Sequence, residues 1–270
     1  MKKERLVVLG TGNAMVTRCY NTCFAIRQGK EYILVDAGGG NGILRQLERA
    51  RIPAEHIHHL IVTHGHTDHV LGVIWIIRKI SAMIHAGEYT GTLQIYCYAE
   101  LADMIRAIAH MTLTPKLTDQ FDSRIHFVKV ADGEKHQLLD STVTFFDIHS
   151  TKMKQFGFTL NLISGKKLTC LGDEPFNPLC EKYLLGTHFL LCEAFCLYKD
   201  REIFHPYEKH HSTVKDAAAL AERYHIPHLV LWHTEDQTLD TRKARYTKEG
   251  KKVYTGDLHV PDDLEVVKLR

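Results

Sequence analysis

Four potential metal ligands fall within six residues: His64, His66, Asp68 and His69, in Thr63-His-Gly-His-Thr-Asp-His-Val70 directly after the apolar run Leu60-Ile-Val62. Placed where a buried strand gives way to a loop, they restrict the chain to folds in which other strand ends converge on the same point. Neutral imidazole and carboxylate oxygen suit zinc and other divalent transition ions. His64 and His66, one residue apart, can turn toward one ion, and Asp68 and His69 can serve a second nearby. A surface histidine cluster is the competing reading, since the chain has 19 histidines in 270 residues. The compact spacing after an apolar strand favours a hydrolytic metal centre instead. By contrast, His56, His58 and His59 read as a polar turn before a strand, without a metal role.

Three later positions repeat the strand-end context. His149 follows the apolar run Val143–Ile148 and offers a third imidazole for the His64–His66 ion. Asp173 follows Leu168–Gly172, where a carboxylate could bridge two ions, and His233 follows Leu229-Val-Leu-Trp232, where it could complete the Asp68–His69 ion. Two divalent ions about 3.5–4 Å apart withdraw electron density from a phosphoryl or acyl group and lower the pKa of a water between them. Asp68 has an oxygen to spare for orienting that water or accepting its proton. In Glu208-Lys-His-His-Ser-Thr-Val214, Ser212 or Thr213 can cap the following helix. His211 could give a proton to a leaving oxygen or bind a phosphate, with Glu193 orienting it. Oxygen and nitrogen ligands leave zinc, manganese and iron all open.

Short strands are expected at Leu6–Leu9, Thr22–Ile26, Tyr32–Val35, Leu93–Tyr98, Ile125–Val128, Val143–Ile148, Phe156–Ile163, Leu168–Leu171, His188–Cys192 and His228–Leu231. Helical periodicity marks Asn41–Arg49, Val70–Ile80, Leu101–Ala109 and Val214–His225. Strands first and then between helices predict an α/β chain with two sheets flanked by helices, rather than a simple doubly wound sheet. Gly10-Thr-Gly12 is a weak phosphate-loop signal without the full spacing of a dinucleotide fingerprint. Lys251-Lys252 reads as a solvated hairpin. No domain boundary stands out across 1–270.

Hydrophobic residues make up 44% and charged residues 24%, with a formal charge of +2; this balance does not advertise a nucleic-acid binder, nor exclude an anionic substrate met by local positive charge. Met1-Lys-Lys-Glu-Arg5 runs into an apolar stretch too short for a secretory signal, and no segment approaches the length expected to span a bilayer. The odd number of cysteines, Cys19, Cys23, Cys97, Cys170, Cys180, Cys192 and Cys196, without a Cys-x-x-Cys pair, fits buried thiols and a reducing, cytoplasmic setting.

At His64–His69 the chain resembles the metallo-β-lactamase superfamily, whose marker is His-x-His-x-Asp-His, and more narrowly ribonuclease Z, the endonuclease that trims precursor tRNA at its 3′ end. Leu9-Gly-Thr-Gly12 with Asn21, Leu34-Val-Asp-Ala-Gly38, Thr63–Asp68, Cys192-Glu-Ala-Phe195, His211-Ser-Thr213 and Leu231-Trp-His-Thr234 occur in the corresponding order. The resemblance implies a four-layer αβ/βα sandwich as a single domain, two zinc ions, phosphodiester hydrolysis and a homodimer. It assigns His64, His66 and His149 to one ion, Asp68, His69 and His233 to the other, and Asp173 to both. Asp68 would activate water, and His211 with Glu193 would assist departure of the 3′ oxygen.

The family's tRNA-gripping arm lies between the third metal histidine and the bridging aspartate. Here that interval, His149 to Asp173, is nearly consumed by Phe156–Ile163 and Leu168–Leu171. A phosphodiesterase acting on a small nucleotide is therefore the main alternative to precursor tRNA processing. Arg18, Lys152 and Lys209 are the expected phosphate contacts. A lactamase or thioester hydrolase, and a non-catalytic metal-binding module, are the further alternatives; Glu193 with His211-Ser-Thr213 favours phosphate chemistry over the acyl reactions.

Overall fold

A computed structural model describes residues 4–270; Met1–Lys3, the charged start counted with the first apolar run, lies outside the described residues. The N-terminal half builds β1 (Glu4–Gly10), β2 (Cys23–Gln28), β3 (Glu31–Val35), β4 (Ile57–Ile61), β5 (Leu93–Cys97) and β6 (Ile125–Lys129). The C-terminal half builds β7 (Lys135–Leu138), β8 (Ser141–Asp147), β9 (Phe156–Asn161), β10 (Lys167–Cys170), β11 (Phe189–Glu193), β12 (His228–Trp232) and β13 (Asp257–His259), and ends with β14 (Val266–Lys268). Two seven-stranded sheets result, ordered β14-β1-β2-β3-β4-β5-β6 and β13-β12-β11-β10-β9-β8-β7. Each is antiparallel on one side and parallel on the other, from β3 to β6 in the first and from β10 to β13 in the second.

The sheets face one another through apolar side chains. Phe24 of β2 meets Phe158 of β9 at 6.5 Å between ring centroids and Trp232 of β12 at 4.8 Å. Val214, Ala217, Ala218 and Ala221, on one side of the helix Val214–Arg223, pack on Leu229 and Leu231 from the outside. Covered on both faces, β11 and β12 read as continuous apolar runs rather than alternating ones. The helix Thr67–Ala86 packs close to the chain after β3, where a methyl group on Gly72 would fall 1.8 Å from the Ala37 carbonyl oxygen; no larger residue fits there. Helices outside two facing sheets make the αβ/βα sandwich.

Several expectations are corrected. The helix Thr67–Ala86 has 20 residues and a mean hydropathy of 1.3, long and apolar enough to cross a membrane by length and composition alone, and 56% of that stretch is buried inside the protein. His58 and His59 belong to β4 itself; their rings lean on Tyr89 and Tyr96, so aromatic neighbours let polar residues occupy strand positions. Lys251 and Lys252 follow the helix Leu239–Gly250 in a turn, not a hairpin. Gly10-Thr-Gly12 is a backbone tie to the end of β12 rather than a phosphate cradle, with Asn13 N–H donating to the Thr234 carbonyl and Thr234 N–H to that of Thr11. The seven cysteines are free thiols, and all but Cys19 are buried.

Candidate metal centre

The parallel strands of both sheets deliver their C-terminal ends to one place. After β4, Asp36 at the end of β3 accepts from Thr63 N–H and Thr63 Oγ, each at 2.8 Å, and lies 2.8 Å from His69 Nδ1. That contact fixes the His69 ring with its Nε2 pointing inward. Opposite, Asp173, Glu193 and His233 follow or end β10, β11 and β12 in turn. Asp36 and His233 hold positive φ values of 53° and 55°. Such left-handed turns cost non-glycine residues about 1–2 kcal/mol, and here they redirect side chains at the strand ends.

Ligand atoms from His64, His66 and Asp173 lie within 4.8 Å of one another, as do those from Asp68, His69 and His233. Asp173 stands between the groups: its Oδ2 is 3.4 Å from His64 Nε2 and 3.5 Å from both His69 Nε2 and His233 Nε2. His64 Nε2 and His66 Nδ1 are 3.0 Å apart. Asp68 Oδ2 and His69 Nε2 are buried 3.4 Å apart, and neither has a partner in hydrogen-bonding geometry among the described residues, an arrangement that a bound cation would satisfy. Against the cost of burial, His64 and His233 hold the Asp173 carboxyl well below the usual carboxylate range, and His69 with His233 does the same for Asp68. Burial opposes charge on His69 too, yet Asp68 and Asp36 raise its pKa well above the ordinary value. The field of the pocket favours positive charge, and its donors fit two divalent ions.

His149 is not brought in. Its residue is exposed with φ 59°, and its ring belongs to neither group. The space beside the first group is taken by Gln155, whose Nε2 lies 2.7 Å from His64 Nδ1 and donates to Asp173 Oδ1. The His149 loop nevertheless passes close by, because Ser150 Oγ donates to the carboxylate of Glu174, next to Asp173, at 2.7 Å.

His211 and Glu193 do meet, with Nδ1 3.7 Å from Oε2, but the hydrogen bonds run elsewhere. His211 Nδ1 lies 2.9 Å from the Asp173 carbonyl oxygen, which accepts its proton, while Ser212 N–H donates to Glu193. The His211 ring stacks on Phe195 at 4.9 Å, leaving Nε2 as its free nitrogen. Burial, reinforced by His233, brings His211 down to about 3, and burial pushes Glu193 well above the carboxylate range. Thr213, not Ser212, caps the following helix, in a reciprocal pairing with Asp216.

A cavity of about 750 Å³ opens over this centre, with His66, Asp68, Asp173, His211 and His233 at its floor. Met15, Phe195, Phe204, Lys152 and Lys209 are among its walls. Arg18 is not: it pairs with Asp240 at 2.6 Å and donates to the Asp236 carbonyl. Asp36 and Gln155 are the contributors that sequence reasoning missed. Asp36 was visible only as part of Leu34-Val-Asp-Ala-Gly38, and nothing local marks Gln155.

Fold and donor set together define a member of the metallo-β-lactamase superfamily, with the centre of a metal-dependent hydrolase. More particularly, residues 4–253 match the family model described as Anti-Pycsar protein Apyc1, and the chain belongs to that family. It is also similar to the ribonuclease Z of Nocardia farcinica (strain IFM 10152), 25% identical over 311 aligned positions that cover 100% of this chain and 99% of the relative. Among solved structures, the metallo-β-lactamase fold protein YhfI from Bacillus subtilis superposes with a TM-score of 0.76 at 18% identity, covering 99% of this chain and 100% of the other. The short form of human tRNase Z gives 0.74 at 20% identity, covering 98% and 99%.

Proposed function

We propose that this chain is a two-metal phosphodiesterase acting on a small nucleotide. The observation that carries the reading is the cavity over the centre. Its volume of about 750 Å³ falls in the range of small-ligand sites, and it combines candidate metal ligands with apolar side chains and two lysines. Exposed Met15 offers an apolar surface for a base, while Phe195 and Phe204 are buried parts of the wall. Lys152 Nζ now donates to the Lys209 carbonyl, and Lys209 Nζ to that of Phe204 at 2.8 Å; both can exchange those bonds for a phosphate.

His64, His66 and Asp173 would hold one ion, with His149 joining by turning its ring inward on the tethered loop. Asp68, His69 and His233 would hold the other, with Asp173 shared; the donor set suits zinc. Ions bound there would supply Lewis acidity to a phosphoryl group and make a nearby water more acidic. Asp68 would be placed to accept a proton from the attacking water, and His211 to meet the departing oxygen through Nε2. A phosphate anion beside His211 favours its protonated form.

The full-length similarity to ribonuclease Z favours a second reading, 3′ processing of precursor tRNA by a homodimer. Against it, β9 and β10 take up the interval between His149 and Asp173, and this supports the smaller substrate, since an extended nucleic acid draws affinity from many backbone contacts. Metal-loaded protein offered cyclic and linear nucleotide diesters, precursor tRNA, a β-lactam and an acyl thioester should turn over the small diesters best. Faster cleavage of precursor tRNA selects the second reading, and preference for either acyl substrate removes both.

A further inference from the structure

The second sheet carries another set of metal donors, at the end opposite the centre. Asp257 and His259 are two apart on β13 and so project from the same face. His228 on β12 is the register partner of Asp257. Three donors therefore share one face of two adjacent parallel strands. Asp257 Oδ2 lies 3.2 Å from His228 Nδ1 and 3.0 Å from His259 Nε2, and ligand atoms from the three residues lie within 4.8 Å of one another. His259 Nε2 is buried and, despite that approach, has no partner in hydrogen-bonding geometry among the described residues.

Packing orients one of the donors, and Lys268 and Arg270 line the cavity beside the site along with Lys243. The His228 ring is held flat against Phe189, at 4.4 Å and 9° between planes, which fixes its direction. The nearby Lys243 is turned away, into Asp262 at 3.2 Å and Glu265. A cavity of about 520 Å³ between β13 and the β14 edge of the first sheet leaves room for water on the open side. Between His228 and His233 the strand runs roughly 16 Å at about 3.3 Å per residue, so the two metal positions are separate.

We propose that His228, Asp257 and His259 bind a single divalent transition ion of the zinc type, outside the hydrolytic centre. Two imidazoles and a carboxylate are a zinc-like donor set with a fourth position open to water. The ion fastens the three-residue edge strand β13 to β12, where the chain crosses from the second sheet back to the first. The position of the ion between the two strands argues for a fastening role, while three protein ligands leave its fourth position to a water.

Metal content tests this directly. Wild type, His259→Gln and His228→Asn are loaded with cobalt(II), dialysed to equilibrium and counted by elemental analysis, with folding checked by circular dichroism. Each variant should hold one ion fewer per chain than wild type and lose part of the visible cobalt absorption, while hydrolysis of a small phosphodiester is unchanged. Because the difference is read, the result does not depend on how many ions the hydrolytic centre holds. Equal cobalt content and spectra in wild type and folded variants overturn the site.

Discussion

The two sheets build their shares of the centre in opposite ways. The first contributes a contiguous segment, His64 to His69, spanning the loop after β4 and the first turn of the helix Thr67–Ala86, steadied by a neighbouring carboxylate, Asp36. The second contributes single residues at the ends of consecutive parallel strands, Asp173, Glu193 and His233. The first share is held by local hydrogen bonds, the second by strand register. Damage to one should therefore act through ring orientation, and damage to the other through removal of a donor that nothing nearby replaces.

The largest effect is expected at Asp173, which touches both groups. Asp173→Ala should strip both ions and lower kcat on a simple phosphodiester by about a thousandfold or more, roughly 4 kcal/mol at the transition state. His149→Ala, acting on the first group alone, should cost one ion. Metal analysis beside kinetics separates them: two ions retained in Asp173→Ala would break the idea of a shared carboxylate, and unchanged binding in His149→Ala would leave the first ion to His64, His66 and Asp173.

Next comes His211→Ala, which removes the nitrogen proposed to face the leaving group while leaving all proposed ligands in place. A loss of about 100-fold is expected with a nucleoside leaving group, and less than tenfold with p-nitrophenolate, which departs without a proton. Metal content should be unaltered. Equal losses on both substrates would show that His211 positions the phosphate instead of serving the departing oxygen.

On the first sheet, Asp36→Asn keeps the shape but weakens the grip on His69 Nδ1. Metal affinity should fall about 10- to 100-fold, with activity restored by excess zinc. Rescue is the contrast with Asp173→Ala, where added metal should not help. If zinc fails to restore Asp36→Asn, the carboxylate does more than orient a ring.

This same division explains what was legible in the sequence. The segment His64–His69 announces itself because its ligands are neighbours in the chain, and His233 and Asp173 because each ends an apolar run. The parallel core strands were legible for the same reason, since burial on both faces leaves a continuous apolar signature. Of the edge strands, β6 was legible, but three were not: β7 reads Lys135-His-Gln-Leu138, and β13 and β14 have three residues each, too short for any periodicity. Gln155 was hidden because its partners, His64 and Asp173, are brought to it only by the pairing of the sheets. His149 was legible as a strand-end histidine, but which way its ring turns is decided by what fills the space beside Asp173.

The histidines of β4 give the smallest and most local test of the comparison. His59 lies in a strand of the first sheet, 3.2 Å from the Tyr96 hydroxyl, and burial, aided by repulsion from His58, lowers its pKa to about 4. Unfolded, the same ring titrates near 6.5. Between those values the unfolded chain takes up a proton that the folded one refuses, so stability falls as pH drops from about 6.5 toward 4 and the loss is complete below it. The effect is on the order of 1 kcal/mol once the ring's partial exposure is allowed for. Urea midpoints of metal-free wild type and His59→Gln at pH 7 and pH 5 isolate it: the wild type should lose more stability than the variant. Parallel losses would mean that β4 tolerates a charged ring, and that its polar positions are open to water rather than enclosed by the aromatic neighbours on which its place in the sheet was argued.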